Sequence, residues 1–228
     1  VMTEAKPISP NGKRGNEQDH CGSAGKDRLV ILSYSSPMLT ISSADALLVV
    51  DVQNDFLPGG ALAVPDGDAV IPIINRLMRL PFGAIVATQD WHPAGHCSFR
   101  EQGGPWPEHC LTDTQGAALA DALDRAPLAL ELRKGRTQAV DSYSAFVEND
   151  RLTHTILADW LSERAIKRVF VTGLALDYCV TATAMDARRA GFESLIVVDA
   201  CRGIAPEAEA IAQATAAGIR IVKEQDLS

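Results

Sequence analysis

Four apolar runs of strand length constrain this chain more than any other feature: ALLVVDV (residues 46–52), GAIVAT (83–88), RVFVTG (168–173) and SLIVVD (194–199). A strand with one wet face alternates apolar and polar residues. These runs do not, so both of their faces are expected to be buried. Between them the pattern turns helical: Val70, Ile73, Ile74, Leu77 and Met78 recur at helical spacing, and further helices are expected over residues 156–164, 179–190 and 207–217. A short Ala-rich helix is expected over 117–124, and two more strands at LALELRK (128–134) and IRIVK (219–223). Strands covered on both faces and separated by helices imply parallel pairing through right-handed crossovers. The fold class is therefore α/β, a three-layer α/β/α sandwich with a mostly parallel sheet of about six strands. A length of 228 residues is enough to bury one substantial core without disulfide or metal staples.

The opening, residues 1–43, reads differently. It is rich in Gly, Pro, Ser, Asn and charge and carries almost no periodic apolar residues, as in PISPNGKRGNEQDHCGSAGKDR. Such a composition does not offset its ordering entropy, so it is expected to be a flexible extension ahead of a domain at 44–228. The apolar piece LVILSYSSPML (29–39) is a candidate arm on the domain or on a second subunit.

Composition excludes whole classes of partner. With 21 Lys and Arg against 29 Asp and Glu, the formal charge is −8, a field that repels a nucleic-acid backbone or an anionic membrane. No apolar run approaches membrane-spanning length. Five scattered cysteines form no C-x-x-C pair and no dense framework, which fits a reducing compartment, and the cytoplasm is the expected location. No glycine-rich phosphate loop follows any strand, so a nucleotide cofactor has no motif support, and no organic cofactor is expected.

Ligands of open parallel sheets lie beyond the C-terminal ends of the strands, and chemically capable residues collect there. Asp90, His92, His96 and His109, in QDWHPAGH and WPEHC, are ligand types for a borderline divalent ion, and three of the five histidines fall in this stretch. Histidines so spaced also occur as ordinary hydrogen-bonded surface groups. Cys179 sits where RVFVTG turns through GLALDYCV into a helix. There the helix dipole and free N–H groups are expected to lower its pKa and to offer an oxyanion site. Its bland alternative is a small buried hydrophobe. Asp51 ends the first strand and Lys134 the third, an acid/base and a cation that would converge on the thiol if the strands are neighbours. Phe56, Trp91, Trp106 and Tyr143 cluster in the irregular segments and would wall a small planar ring.

Together, VVDVQNDFLPGGALAV, ATQDWHPAGHCSF, GPWPEHC, RKG followed by DSYSAF, and VTGLALDYCV resemble the isochorismatase-like cysteine hydrolases, and within them the nicotinamidases, which are also pyrazinamidases. The resemblance runs from about Asp45 to the C-terminus. It implies hydrolysis of nicotinamide to nicotinate and ammonia through a cysteine thioester, in NAD salvage. Cys179 would be the nucleophile, Asp51 the general base and acid, and Lys134 the third catalytic group. Asp90, His92 and His109 would bind one Zn²⁺, Fe²⁺ or Mn²⁺, with His96 a further candidate, directly or through water. A nonproline cis peptide would lie at Leu174–Ala175, and the N–H groups of Ala175 and Cys179 would form the oxyanion hole. Phe56, Trp106, Tyr143, Leu174 and Tyr178 would shape the substrate pocket. The partner is then a small aromatic amide, and the resemblance leaves open whether the chain is a monomer or a homo-oligomer such as a dimer. The alternatives are a metal-independent hydrolase of carbamoyl or ureido groups in the same superfamily, or a noncatalytic module that binds aromatic metabolites.

Overall fold

A computed structural model of the chain describes residues 38–228. Six parallel strands form one sheet: β1 (Asp45–Val50), β2 (Ala84–Asp90), β3 (Leu130–Lys134), β4 (Arg168–Leu174), β5 (Glu193–Arg202) and β6 (Arg220–Val222), in the order β3-β2-β1-β4-β5-β6. The order reverses beside β1, so the crevice at its C-terminal end is the switch point of the sheet. Every residue of β1 and β2 is buried, as their unbroken apolar runs require.

The period of two in each strand divides the core into two layers. Leu47 and Val49 of β1 face helix α1 (Val70–Leu77), which contributes Val70, Ile71, Ile74 and Leu77. Ala46, Leu48 and Val50 face the opposite layer, built by α2 (Leu157–Glu163), α3 (Thr181–Arg189) and α4 (Glu207–Ala216). Pro72 stands in the first turn of α1, where its missing N–H has no partner to lose.

Beside α1 the sheet is covered by irregular chain instead of a second helix. The helix expected over 117–124 does not form. The chain there pairs with the segment after β1: Asn54 N–H donates to Ala118 O, and Ala120 N–H donates to Val52 O. These tertiary bonds replace the i→i+4 ladder that alanine propensity alone would favour. The helix expected over 179–190 also differs. Residues Leu176–Val180 form a wider turn, with Val180 N–H donating to Ala175 O, and regular α3 starts at Thr181.

Of the segment 1–43, residues 1–37 lie outside the described residues. Leu39 and Ile41 exchange backbone hydrogen bonds with residues 226–228, and Ile41 is buried. The proposed arm at 29–39 is described only at its end. Among the described residues no helix is long and apolar enough to cross a membrane.

Candidate active site and metal centre

Sheet register brings the polar strand ends together. Asp90 on β2 is the register partner of Lys134 on β3, and Val50, just before Asp51, is the partner of Gly173 on β4. Gly173 adopts φ +105°, and a Cβ there would stand 2.1 Å from Val50 O, so only glycine allows β4 to approach β1 this closely. The chain then turns through a cis Leu174–Ala175 peptide into the turn that carries Cys179.

Asp51, Lys134 and Cys179 form one buried cluster. Asp51 takes up the left-handed region at φ +51°, which aims its side chain back across the strand ends. Thr88 Oγ donates to Asp51 Oδ1 at 2.6 Å. Lys134 Nζ stands 2.9 Å from Asp51 Oδ2, an ion pair with both side chains fully buried. Nζ also donates to Asp90 Oδ1 and to Ser142 O at 3.0 Å, and it lies 3.6 Å from Cys179 Sγ. One carboxylate oxygen each of Asp51 and Asp90 and the sulfur of Cys179 fall within 4.8 Å of one another.

Neither Asp51 nor Lys134 has any exposed surface, so burial and pair charges set every protonation state. Burial pushes the Asp51 carboxyl above its ordinary value against the pull of Lys134, and the Asp90 charge adds to the rise. Burial would likewise lift Asp90, but the charges of Lys134 and His92 hold it below the usual carboxylate range. For Lys134 burial favours the neutral amine, yet Asp51 and Asp90 keep it charged, well above the usual lysine value. Burial also lifts the Cys179 thiol well above its ordinary value, with Lys134 opposing. The lowered thiol pKa expected from the helix terminus is thus opposed by burial, which raises it, with Lys134 pulling the other way.

The second group is Asp90, His92 and His109, all buried, with donor atoms within 4.8 Å of one another. His109 comes from a distant loop. That loop is fixed by His92 N–H donating to Cys110 O, by Thr112 N–H donating to His92 O, and by Cys110 N–H donating to Asp55. His92 Nδ1–H points to Gly135 O at 2.9 Å and His109 Nδ1–H to Pro107 O at 2.8 Å. Each ring is thereby held in the tautomer that presents Nε2, the orientation of a metal-ligating histidine. Gly135 is required here, because a Cβ would meet the His92 ring at 2.5 Å.

His96 is placed differently. It stacks on His92 at 4.0 Å between ring centres; its Nε2–H points to Val140 O and its Nδ1 accepts from Ser98 Oγ. Both nitrogens are hydrogen-bonded here and the ring buttresses His92, while His92, His96 and Asp141 also bring ligand atoms within 4.8 Å of one another.

Both groups border one small pocket. Phe56, Trp106, Tyr143 and Tyr178 line it, together with Ala175, Cys179, Asp90 and His109. Trp106 Nε1–H donates to Tyr143 Oη at 3.2 Å, and the Trp106 and Tyr178 rings meet edge to face. Two expected wall residues face elsewhere. Leu174 has no exposure and packs in the α1-side core, so only its peptide bond borders the site. Trp91 lies between Asp90 and His92 in extended chain, so alternation turns it away, and Arg133 stacks on its ring.

Sequence reasoning missed Leu62, Val64, Asp141 and Ile204 of the pocket. It also missed Gln53, a fully buried side chain whose amide grips the Asp90 backbone. Gln53 Nε2 donates to Asp90 O and Ala117 O, and Gln53 Oε1 accepts from Asp90 N–H, each at 2.8 Å. The available signal was its position two residues beyond Asp51, at the C-terminal end of the first strand.

Comparison with known proteins places these features in context. The isochorismatase domain profile matches residues 45–224. A nicotinamidase of Acinetobacter baylyi is 48% identical over 175 residues, covering 70% of this chain and 81% of the relative. The PnC1 protein of L. infantum, solved in complex with nicotinate, superposes with a TM-score of 0.81 at 43% identity, covering 84% of this chain and 98% of that one. The pyrazinamidase of Pyrococcus horikoshii, solved in complex with zinc, gives a TM-score of 0.71 at 42% identity over 79% of this chain and 99% of that chain.

Proposed function

The chain belongs to the isochorismatase family, and from its likeness to nicotinamidases over most of its length we propose how it works. It is an amidohydrolase that converts nicotinamide to nicotinate and ammonia, with pyrazinamide as a second substrate; the reaction belongs to NAD salvage. The observation that carries the reading is the buried Asp51, Lys134 and Cys179 cluster at the floor of an aromatic pocket beside a three-residue metal-binding group. Residues 44–228 supply all of it.

Asp90, His92 and His109 are the residues that would hold a divalent ion, and the donor set suits one: two imidazoles fixed as Nε2 ligands and one carboxylate kept ionised. Zinc, iron(II) and manganese(II) all accept such a set, and an ion bound there supplies a Lewis-acidic anchor for a ring nitrogen or for water.

The remaining steps belong to side chains. Phe56, Trp106, Tyr143 and Tyr178 hold the ring and exclude water. The Asp51 carboxylate takes the Cys179 proton, and the sulfur attacks the carboxamide carbon. The N–H groups of Ala175 and Cys179 receive the developing oxyanion. Protonated Asp51 gives its proton to the amide nitrogen, the C–N bond breaks, and ammonia leaves a thioester. Asp51 then deprotonates a water that attacks the thioester. The sulfur leaves as thiolate and recovers its proton from Asp51, releasing nicotinate. The upward shift of both Asp51 and Cys179 suits this exchange, since acid and base are each lifted by the same burial and the proton moves between them over a short path. Lys134 stays charged throughout and offsets each negative charge in turn.

Rapid quenching of the protein with nicotinamide, followed by peptide mass mapping, tests the covalent step. A nicotinoyl group on the Cys179 peptide, absent from Cys179→Ala, is expected; turnover without any acylated peptide would contradict the thioester route.

A further inference from the structure

Residues 203–205, which follow β5, close one side of the pocket and are tied to the nucleophile-bearing turn itself. Ile204 N–H donates to Asp177 Oδ1 at 2.9 Å, and Ala205 N–H donates to Asp177 Oδ2 at 2.7 Å. Both bonds run to a carboxylate, the stronger class of hydrogen bond. Asp177 immediately precedes Tyr178, a wall of the pocket, and lies two residues before Cys179. The contact is close-fitting, since a Cβ on Gly203 would stand 2.9 Å from Asp177 Oδ1.

The tethered segment presents Ile204 to the pocket mouth. Its side chain is 43% exposed, one of four large hydrophobic side chains left exposed among the described residues. Leu62, Val64 and Phe56 line the same pocket. Apolar surface at a pocket mouth gains free energy only when a ligand covers it, so Ile204 is a contact that a bound ring completes.

We propose that Asp177 is a positioning residue that sets which ring-substituted amides the pocket admits, by pinning Ile204 as its lip. This rests on the amidase reading of the same pocket. A pinned isoleucine admits a flat, unsubstituted six-membered heteroaromatic carboxamide and excludes rings whose substituent would need that space. A released lip accepts both, and binds the small ring less tightly.

The test compares the full-length protein with Ile204→Ala, Asp177→Ala and Asp177→Asn, using nicotinamide and its ring-methylated analogues. Ile204→Ala is expected to raise KM for nicotinamide about tenfold with kcat little changed, and to shrink discrimination against the methylated amides by a similar factor. Asp177→Ala should reproduce both effects although it removes no pocket atom. Asp177→Asn, which keeps one acceptor oxygen, should fall between Asp177→Ala and the unaltered protein. Hydrogen exchange at residues 203–205 should rise in Asp177→Ala. Calorimetric titration with nicotinate and methylated nicotinates reads the same discrimination without turnover, so failure of the amidase reading and failure of the lip are separable. Unchanged selectivity in Asp177→Ala, or loss of kcat at constant KM, would overturn the proposal. If Asp177→Ala does not fold, equal selectivity of Asp177→Asn, Ile204→Ala and the unaltered protein would overturn it as well.

Discussion

Lys134 and Asp90 are register partners at the ends of adjacent strands, and their ion pair joins the Asp51 and Cys179 cluster to the Asp90, His92 and His109 group. The same ammonium stands 2.9 Å from Asp51. One fully buried cation thus holds two carboxylates with opposite protonation tendencies: Asp90 is kept ionised for a metal, and Asp51 is lifted toward taking a proton.

Removing that cation should therefore damage the fold as well as the chemistry. Lys134→Met leaves two buried carboxylates without their counter-ion and is expected to cost about 3–5 kcal/mol of stability. Urea unfolding of the metal-free protein measures it. A loss under about 1 kcal/mol would mean that the pair is not the buried junction described.

Gln53 makes a prediction that separates positioning from catalysis. Its amide grips both backbone groups of Asp90, so Gln53→Met should loosen a residue of the proposed metal site without removing any proposed ligand. Metal affinity is expected to fall about 10- to 100-fold, the usual effect of disturbing an outer-shell partner. Competition against a chelating dye measures this independently of turnover, and unchanged affinity would assign Gln53 to folding alone.

The chain's main features were legible in its letters for a physical reason. Strands buried on both faces leave unbroken apolar runs, and residues at strand ends are brought together by parallel register, so Asp51, Asp90 and Lys134 converge once the sheet is assumed. What was not legible depends on long-range partners. The 117–124 segment has helical propensity but spends its backbone bonds on residues 52–54. His96 reads only as a ligand type in the sequence, and its stacking on His92 and its bonds to Val140 and Ser98 appear with the fold. Cys179 has the local setting of a lowered pKa, and only the closed core around it reveals that burial reverses the sign. Ile204 and Leu62 are anonymous apolar residues until the fold folds them over a cavity.

Acid stability should depend on the ion cluster of Arg151, Arg189 and Asp186. Arg151 bonds both oxygens of Asp186 at 2.7 and 2.8 Å, and Arg189 bonds one of them. Burial would raise the Asp186 pKa, but these guanidinium bonds bring it below the ordinary carboxylate value. A depressed folded-state pKa gives stability that is present above the unfolded value near pH 4 and is lost as pH falls through the folded value. Asp186→Asn should accordingly be about 1–2 kcal/mol less stable than the unaltered protein at neutral pH. The gap should close progressively below about pH 4. Thermal unfolding across pH 2–7 reads the difference, and a gap that widens in acid would reverse the assigned sign.

Cys179→Ser keeps the size of the side chain but replaces a polarizable thiol with a hydroxyl whose proton Asp51 is poorly matched to remove. Turnover is expected to drop at least about a thousandfold while nicotinate binding persists. Steady-state kinetics with calorimetry separates the two; substantial residual turnover would move the nucleophile away from residue 179.

The central claim, that this chain hydrolyses nicotinamide at a metal-containing site, is tested most directly by measuring ammonia and nicotinate together after chelation and after restoring zinc, iron(II) or manganese(II) in turn. The predicted result is equimolar ammonia and nicotinate, suppressed by the chelator and recovered with at least one ion. No release from folded protein with any of the three ions would contradict the account.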